Sequence, residues 1–352
     1  MSALSDQIAA PRPHAAGGWA VRAGAVAAAA AVAAAALPLG GLVPLLGAPI
    51  LALLLGMALA AVAPAHRLRP GLGLTSRYVL QLAIVVLGAT ISLRQVATVG
   101  ASSLPVMLGS LTTALLTALL LGRGLRVPER LRVLIGVGTG ICGASAIAAV
   151  SGVTRARERE IRYAVSTIFA FNLVAVLVFP PVGHLLGMGQ HAFGLWAGTA
   201  VNDASSVVAA GFAYGHAAGT YAVIVKLTRT TMIVPISLAL AALALRRRSR
   251  QAATADGDAV PEGRSWRGVV PWFLLWFLAA SAAHTLGAFA SAGAGLSHAG
   301  LALTTVALAA VGLSSDFGEM RRTGSRPLLL GALVWIAVTV TSLGLQALTH
   351  TA

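Results

Sequence analysis

The sequence predicts an all-α polytopic membrane protein of about nine to eleven transmembrane helices, with two Gly/Ser-rich broken or re-entrant segments and inverted internal repeats. Three observations carry this. Of the 352 residues, 57% are hydrophobic and only 10% charged, with a mean hydropathy of +0.85, whereas a soluble domain carries about 25% charged residues. The charged residues cluster between apolar windows of about twenty residues, the length that crosses a hydrocarbon core of about 30 Å. Two windows are so rich in glycine that a regular lipid-facing helix is not expected there.

The windows fall at 19–36, 42–63, 75–93, 103–122, 131–153, 162–180, 193–213, 219–243, 268–288, 297–315 and 327–347. Residues 1–18, with Pro11, Pro13 and the Gly17-Gly18 pair, read as a disordered cytoplasmic leader. Arg12 and Arg22 precede an Ala-rich stretch, but a clear small-residue cleavage site does not follow, so the segment reads as a retained helix. The basic stretch 246–267 is the only long polar linker. It divides a first membrane-embedded part, 19–245, from a second, 268–347.

A net charge of +15 would point to nucleic acid in a soluble protein. Here the bases lie in short loops without interleaved aromatics, so they read as orientation signals, and no nucleic-acid partner is expected. The single cysteine, Cys142, excludes an internal disulfide. The eight histidines are scattered near segment ends, so no metal site and no cofactor are expected. No phosphate-binding loop, zinc-protease helix or nucleophile elbow is present, and the chain does not read as an enzyme.

The loops orient the chain, because cytoplasmic connections retain Lys and Arg. Simple alternation with the N-terminus inside suits every Arg-rich loop except the fifth, which carries Arg155, Arg157, Arg159 and Arg162. If 131–153 enters and leaves on the cytoplasmic side, and 193–213 enters and leaves on the outer side, that misfit disappears. The other reading keeps both segments as broken spanning helices and accepts one exception to the rule.

Those two segments carry the chemistry. The first contains Gly140, Cys142, Gly143 and Ser145; the second contains Gly198, Thr199, Asn202, Asp203, Ser205 and Ser206. Broken backbone at membrane depth survives only where it lines protein or a polar cavity, with half-helix ends directed at a bound ion or substrate. The segments echo each other: Gly143-Ala144-Ser145-Ala146 stands sixty positions before Asp203-Ala204-Ser205-Ser206. A second echo pairs Leu87-Gly88 and Gly100 with Val311-Gly312 and Gly324 at a constant offset of 224. Composition this biased also produces short matches by chance.

Charges at membrane depth cost at least about 2.5 to 3.5 kcal/mol each unless compensated. Asp203 is the one carboxylate well inside an apolar window, and reads either as a coupling site for a proton or cation or as the partner of a buried base. Lys226, the sole lysine, and Arg229 stand three apart and share a helix face. Pro235 follows, where a kink would open backbone around them. Two fixed positive charges suit an anion, the guanidinium being able to grip an oxyanion with two parallel hydrogen bonds. Snorkelling from the outer end is the alternative. Asn172, Ser92, Gln95 and Asp316 are weaker candidates.

The chain resembles the YeiH-type family of bacterial inner-membrane proteins, described as sulfate exporters. The stretches that carry the resemblance are Gln81 to Gly88 with Ser92-Leu93, Gly140-Ile141-Cys142-Gly143-Ala144-Ser145-Ala146, Trp196-Ala197-Gly198-Thr199-Ala200-Val201-Asn202-Asp203, Lys226 with Arg229, and Ala307 to Leu313. The resemblance implies a multi-pass secondary transporter of the bacterial inner membrane, related at fold level to cation/proton antiporters and bile-acid symporter-like proteins. Position 202 departs from the pattern: histidine is expected and asparagine stands there, so a proton-carrying role does not transfer to it.

Taken together, the expectation is a transporter whose two broken segments meet near the midplane. Lys226 and Arg229 attract a small anion such as sulfate or an organosulfonate, and Gly143, Ser145, Thr199, Asn202, Ser205 and Ser206 supply further amides and hydroxyls. Asp203 couples transport to a proton or cation. The partners are the lipid bilayer and the anion, and a homo-oligomer is compatible with the sequence. A cation/proton antiporter built on Asp203, or a non-transporting membrane scaffold, are the alternatives.

Overall fold

In the computed structural model, residues 19–42, 47–62, 68–233, 236, 239, 272–289, 292–315 and 324–349 are described. The leader 1–18, the linker 246–267, Pro235 and Asp316 lie outside them. All regular structure among the described residues is helical, in thirteen helices. They are α1 (Trp19–Leu42), α2 (Gly47–Val62), α3 (Arg69–Gly88), α4 (Leu93–Gly124), α5 (Glu129–Gly140), α6 (Ala144–Thr154), α7 (Glu158–Leu185), α8 (Gln190–Ala200), α9 (Ala204–Tyr214), α10 (His216–Thr231), α11 (Trp272–Thr285), α12 (Gly293–Ser314) and α13 (Ser325–Thr349). Among the described residues six helices are long and apolar enough to cross a membrane: α1, α3, α4, α7, α12 and α13. Large apolar side chains such as Leu120, Val178, Trp276 and Val340 stand exposed on the outside of the bundle, as lipid-facing side chains do.

Each Gly/Ser-rich window is a pair of half-helices. α5 has 12 residues and α6, α8 and α9 have 11 each, so each is about 17 Å long and reaches roughly half-way across a 30 Å core. Both pairs fold back on themselves. Arg130, at the start of α5, donates from Nη1 to the carbonyl oxygen of Arg155, just past the end of α6, at 3.0 Å. Two ends held that close sit on one face, where a broken spanning helix would hold them on opposite faces. The second pair closes the same way: the Gln190 side chain, at the start of α8, accepts from the Ala218 amide at 3.0 Å and reaches the Tyr214 carbonyl at 3.5 Å.

The hairpins enter from opposite faces. α7 begins beside the base of the first hairpin and runs 28 residues, about 42 Å. It ends beside the base of the second, where His184 stacks on Tyr214 with centroids 4.2 Å apart. Their tips therefore meet in mid-thickness. The sixty-residue echo marks this relation, since Gly143 is the N-cap of α6 and Asp203 the N-cap of α9. Of the second echo, Leu87-Gly88 lies on α3 and Val311-Gly312 on α12, while Gly100 lies on α4 and Gly324 just before α13; α3 and α12 pack antiparallel, with Gly300 near the start of α12 against Leu87 at the end of α3.

Around the hairpins stand α4, α7, α10 and α13, with a core that includes Leu134, Ile147, Ile168, Phe179, Trp196 and Val334. α1, α2, α3 and α12 form an adjoining bundle whose core is largely alanine, Ala25, Ala29, Ala33, Ala52, Ala309 and Ala310 among them. An apolar seam of Ile50, Leu53, Met57, Val176, Ala209, Ala213 and Leu308 joins the two. Close approach of α8 to α10 requires glycine: a Cβ on Gly198 would lie 2.8 Å from the Val225 side chain and 3.0 Å from the Ala222 carbonyl oxygen. That approach brings the bases of α10 level with the tip of the second hairpin.

Candidate functional site

The first tip turns through Ile141, Cys142 and Gly143. Gly143 has φ +68°, ψ −129°, where side chains are strained. It also touches the opposite tip, since a Cβ there would lie 3.2 Å from Asp203 Cβ. The second tip leaves α8 through an extended Val201 (φ −84°, ψ 134°) and enters α9 at Asp203 (φ −110°, ψ 160°). Asn172 of α7 buttresses it, accepting through Oδ1 from the Asn202 amide at 3.0 Å.

Lys226 and Arg229 of α10 are 1% and 0% exposed, which sets snorkelling aside. Lys226 Nζ donates to the Val201 carbonyl oxygen at 2.8 Å. Arg229 donates from Nε to the Gly140 carbonyl and from Nη1 to the Thr199 carbonyl. These carbonyls belong to the ends of α5 and α8, whose negative dipole ends a cation stabilises. One arginine thus ties both tips together. Its remaining nitrogen, Nη2, is buried and has no partner among the described residues.

Asp203 is engaged elsewhere. Its Oδ1 accepts from the Ser206 amide at 2.9 Å and its Oδ2 from the Ser205 hydroxyl at 2.5 Å, an N-cap on α9. Among the described residues it forms no ion pair within 4.0 Å with Lys226 or Arg229. Asn202 is 1% exposed, and both atoms of its side-chain amide are buried without a partner.

The structure therefore brings Gly143, Asn202, Asp203, Ser205, Ser206, Lys226 and Arg229 to one junction. Ser145 is the second residue of α6 and is exposed in its first turn, beside an N-terminus without a side-chain cap. The Thr199 hydroxyl faces away: it pairs with Ser342 of α13 at 2.6 Å and donates to the Leu195 carbonyl. Ser92 caps α4, accepting from the Gln95 amide at 3.2 Å. Sequence reasoning missed the backbone carbonyls that hold the cations, and Ser342. Ser342 had a signal, standing one turn before Gln346 on the same face of a largely apolar helix.

Chemically, the junction holds two buried cations, one carboxylate and four half-helix ends. The two C-termini and two N-termini, about half a charge each, cancel. With both bases protonated and Asp203 ionised, about one positive charge is left over. Arg229 Nη2 and the Asn202 amide are its unpartnered polar groups.

Two opposed re-entrant hairpins meeting over buried bases, in a shell of apolar helices, define a polytopic membrane protein with a polar centre at mid-thickness. The chain belongs to the YeiH-type family: the family model described as Conserved hypothetical protein 698 matches residues 23–331. It is 42% identical to a UPF0324 membrane protein of Streptococcus pyogenes serotype M6 over 319 residues, 88% of this chain and 91% of that one. It is 39% identical to a UPF0324 membrane protein of Streptococcus pneumoniae strain R6, over 88% of this chain and 92% of that one. A third, from Streptococcus agalactiae serotype V, is 36% identical, over 89% and 93%. No solved structure matches.

Proposed function

We propose that the protein is a secondary transporter that carries a small oxyanion, sulfate or an organosulfonate, across the bacterial inner membrane, and that it performs no enzymatic step. The observation that carries this reading is the pair Lys226 and Arg229, fully buried and, among the described residues, without a carboxylate within 4.0 Å, with Arg229 Nη2 left unpartnered there where the hairpin tips meet. A buried cation is retained at membrane depth when something compensates it. Carbonyl dipoles do so in part, and an anion completes it. Export as the direction rests on the family resemblance alone. Arg123, Arg126, Arg130, Arg155 and Arg157 gather at the base of the first hairpin, and the positive-inside rule assigns that face, with the N-terminus, to the cytoplasm.

Asp203 is proposed as the coupling group, because it caps α9 at the same junction and remains partly exposed. The cation/proton antiporter reading has less behind it, since it gives the buried pair Lys226 and Arg229 no ligand to hold. Uptake of labelled sulfate and ethanesulfonate into reconstituted vesicles tests the proposal. Transport is expected in the wild type and lost in Lys226→Met and Arg229→Lys variants that still purify as folded protein. Undiminished transport in both variants would overturn the anion assignment.

A further inference from the structure

The unpartnered groups at the hairpin junction say more about the ligand than the cations do. Asn202 is 1% exposed, and neither its Oδ1 nor its Nδ2 has a hydrogen-bond partner among the described residues. Exchanging the two atoms changes nothing, because both are unmet. A buried amide in that state needs one acceptor and one donor from whatever occupies the junction. Arg229 Nη2, 0% exposed, needs an acceptor. The two residues belong to one place: Arg229 and Lys226 are bonded to the carbonyls of Thr199 and Val201, and Asn202 is the next residue along the tip. Counted at formal charge, Lys226, Arg229 and Asp203 leave one positive unit there.

We infer that the ligand is a singly charged oxyanion bearing a hydrogen-bond donor beside its charged group, a hydroxylated sulfonate or an acidic oxyanion with its own hydroxyl, and that Asn202 selects it. This deepens the anion-transporter reading above and rests on it. The oxyanion oxygens accept from Arg229 Nη2 and Asn202 Nδ2, and the ligand's hydroxyl donates to Asn202 Oδ1. Fully ionised sulfate offers acceptors only, so it leaves Oδ1 unmet and brings one charge more than the junction balances. A site built to hydrogen-bond a hydroxyl discriminates strongly against the analogue without it, because its own buried group is then left unpaired.

The test is competition binding to the purified full chain in lipid nanodiscs at pH 7, with three probes: ethanesulfonate, 2-hydroxyethanesulfonate and sulfate. The hydroxylated sulfonate is expected to bind about tenfold more tightly than ethanesulfonate and more tightly than sulfate. In Asn202→Leu the ratio between the two sulfonates falls below about twofold. The wild-type comparison stands whether or not that variant folds. Equal binding of the two sulfonates, or tighter binding of sulfate, overturns the inference and leaves the anion reading in place. Binding of none of the three overturns the anion reading itself.

Discussion

Arg229 donates through Nε to the carbonyl oxygen of Gly140, eighty-nine residues earlier, and so fastens the tip of the first hairpin to the helix that already carries the second. Its Nη1 holds Thr199 at the end of α8. The guanidinium is therefore both a charge and a clamp, and only Nη2 remains for a ligand.

The clamp has a measurable consequence. Arg229→Ala leaves the Gly140 and Thr199 carbonyls buried without donors, at about 1–3 kcal/mol each. Arg229→Lys keeps the charge, but an ammonium has no planar fork to span both carbonyls. Thermal unfolding of the detergent-purified protein should rank wild type above Arg229→Lys and Arg229→Lys above Arg229→Ala. An Ala variant as stable as wild type would contradict the clamp.

Asp203 separates structure from coupling. Asparagine caps a helix about as well as aspartate, whereas alanine loses about 1 kcal/mol. Asp203→Asn should therefore unfold close to the wild-type temperature, and Asp203→Ala lower. If Asp203 also couples transport, Asp203→Asn slows anion flux in vesicles despite its intact fold. Flux equal to wild type in Asp203→Asn would leave the carboxylate a cap and nothing more.

The hairpin topology can be read by labelling. In a Cys142→Ser background, Glu129→Cys and Arg157→Cys flank the first hairpin and Gly189→Cys opens the second. A membrane-impermeant maleimide should reach Glu129→Cys and Arg157→Cys from the same side and Gly189→Cys from the other. Labelling of positions 129 and 157 from opposite sides would mean that α5 and α6 together span the membrane.

Much of this was legible in the residues. The four arginines of the fifth loop pointed to re-entry, because only a hairpin returns Arg155 to the face of Arg130. The glycines of both windows marked the breaks, and the short echo from Gly143 to Asp203 aligned the two N-caps. Lys226 and Arg229 were conspicuous as bases inside an apolar window. What they touch was not legible: their acceptors are backbone carbonyls at 140, 199 and 201, and a carbonyl has no letter of its own in a sequence. The Asn172 prop under Asn202 and the Ser342 partner of Thr199 join helices distant in the chain, and no local periodicity reports such a pairing. The tilt of Thr199 away from the junction depends on the rotation of α8 against α13, which packing decides.

The central claim is that the junction between the hairpin tips holds a singly charged oxyanion, and hydrogenselenite tests it most directly, because it carries its own hydroxyl and its selenium scatters far more strongly than water. A structure of the wild-type protein determined with hydrogenselenite at pH 7 should show the anion between the tips, bonded to Arg229 Nη2 and to the Asn202 amide. Hydrogenselenite confined to the surface, with Arg229 Nη2 bonded to a protein oxygen instead, would contradict the account.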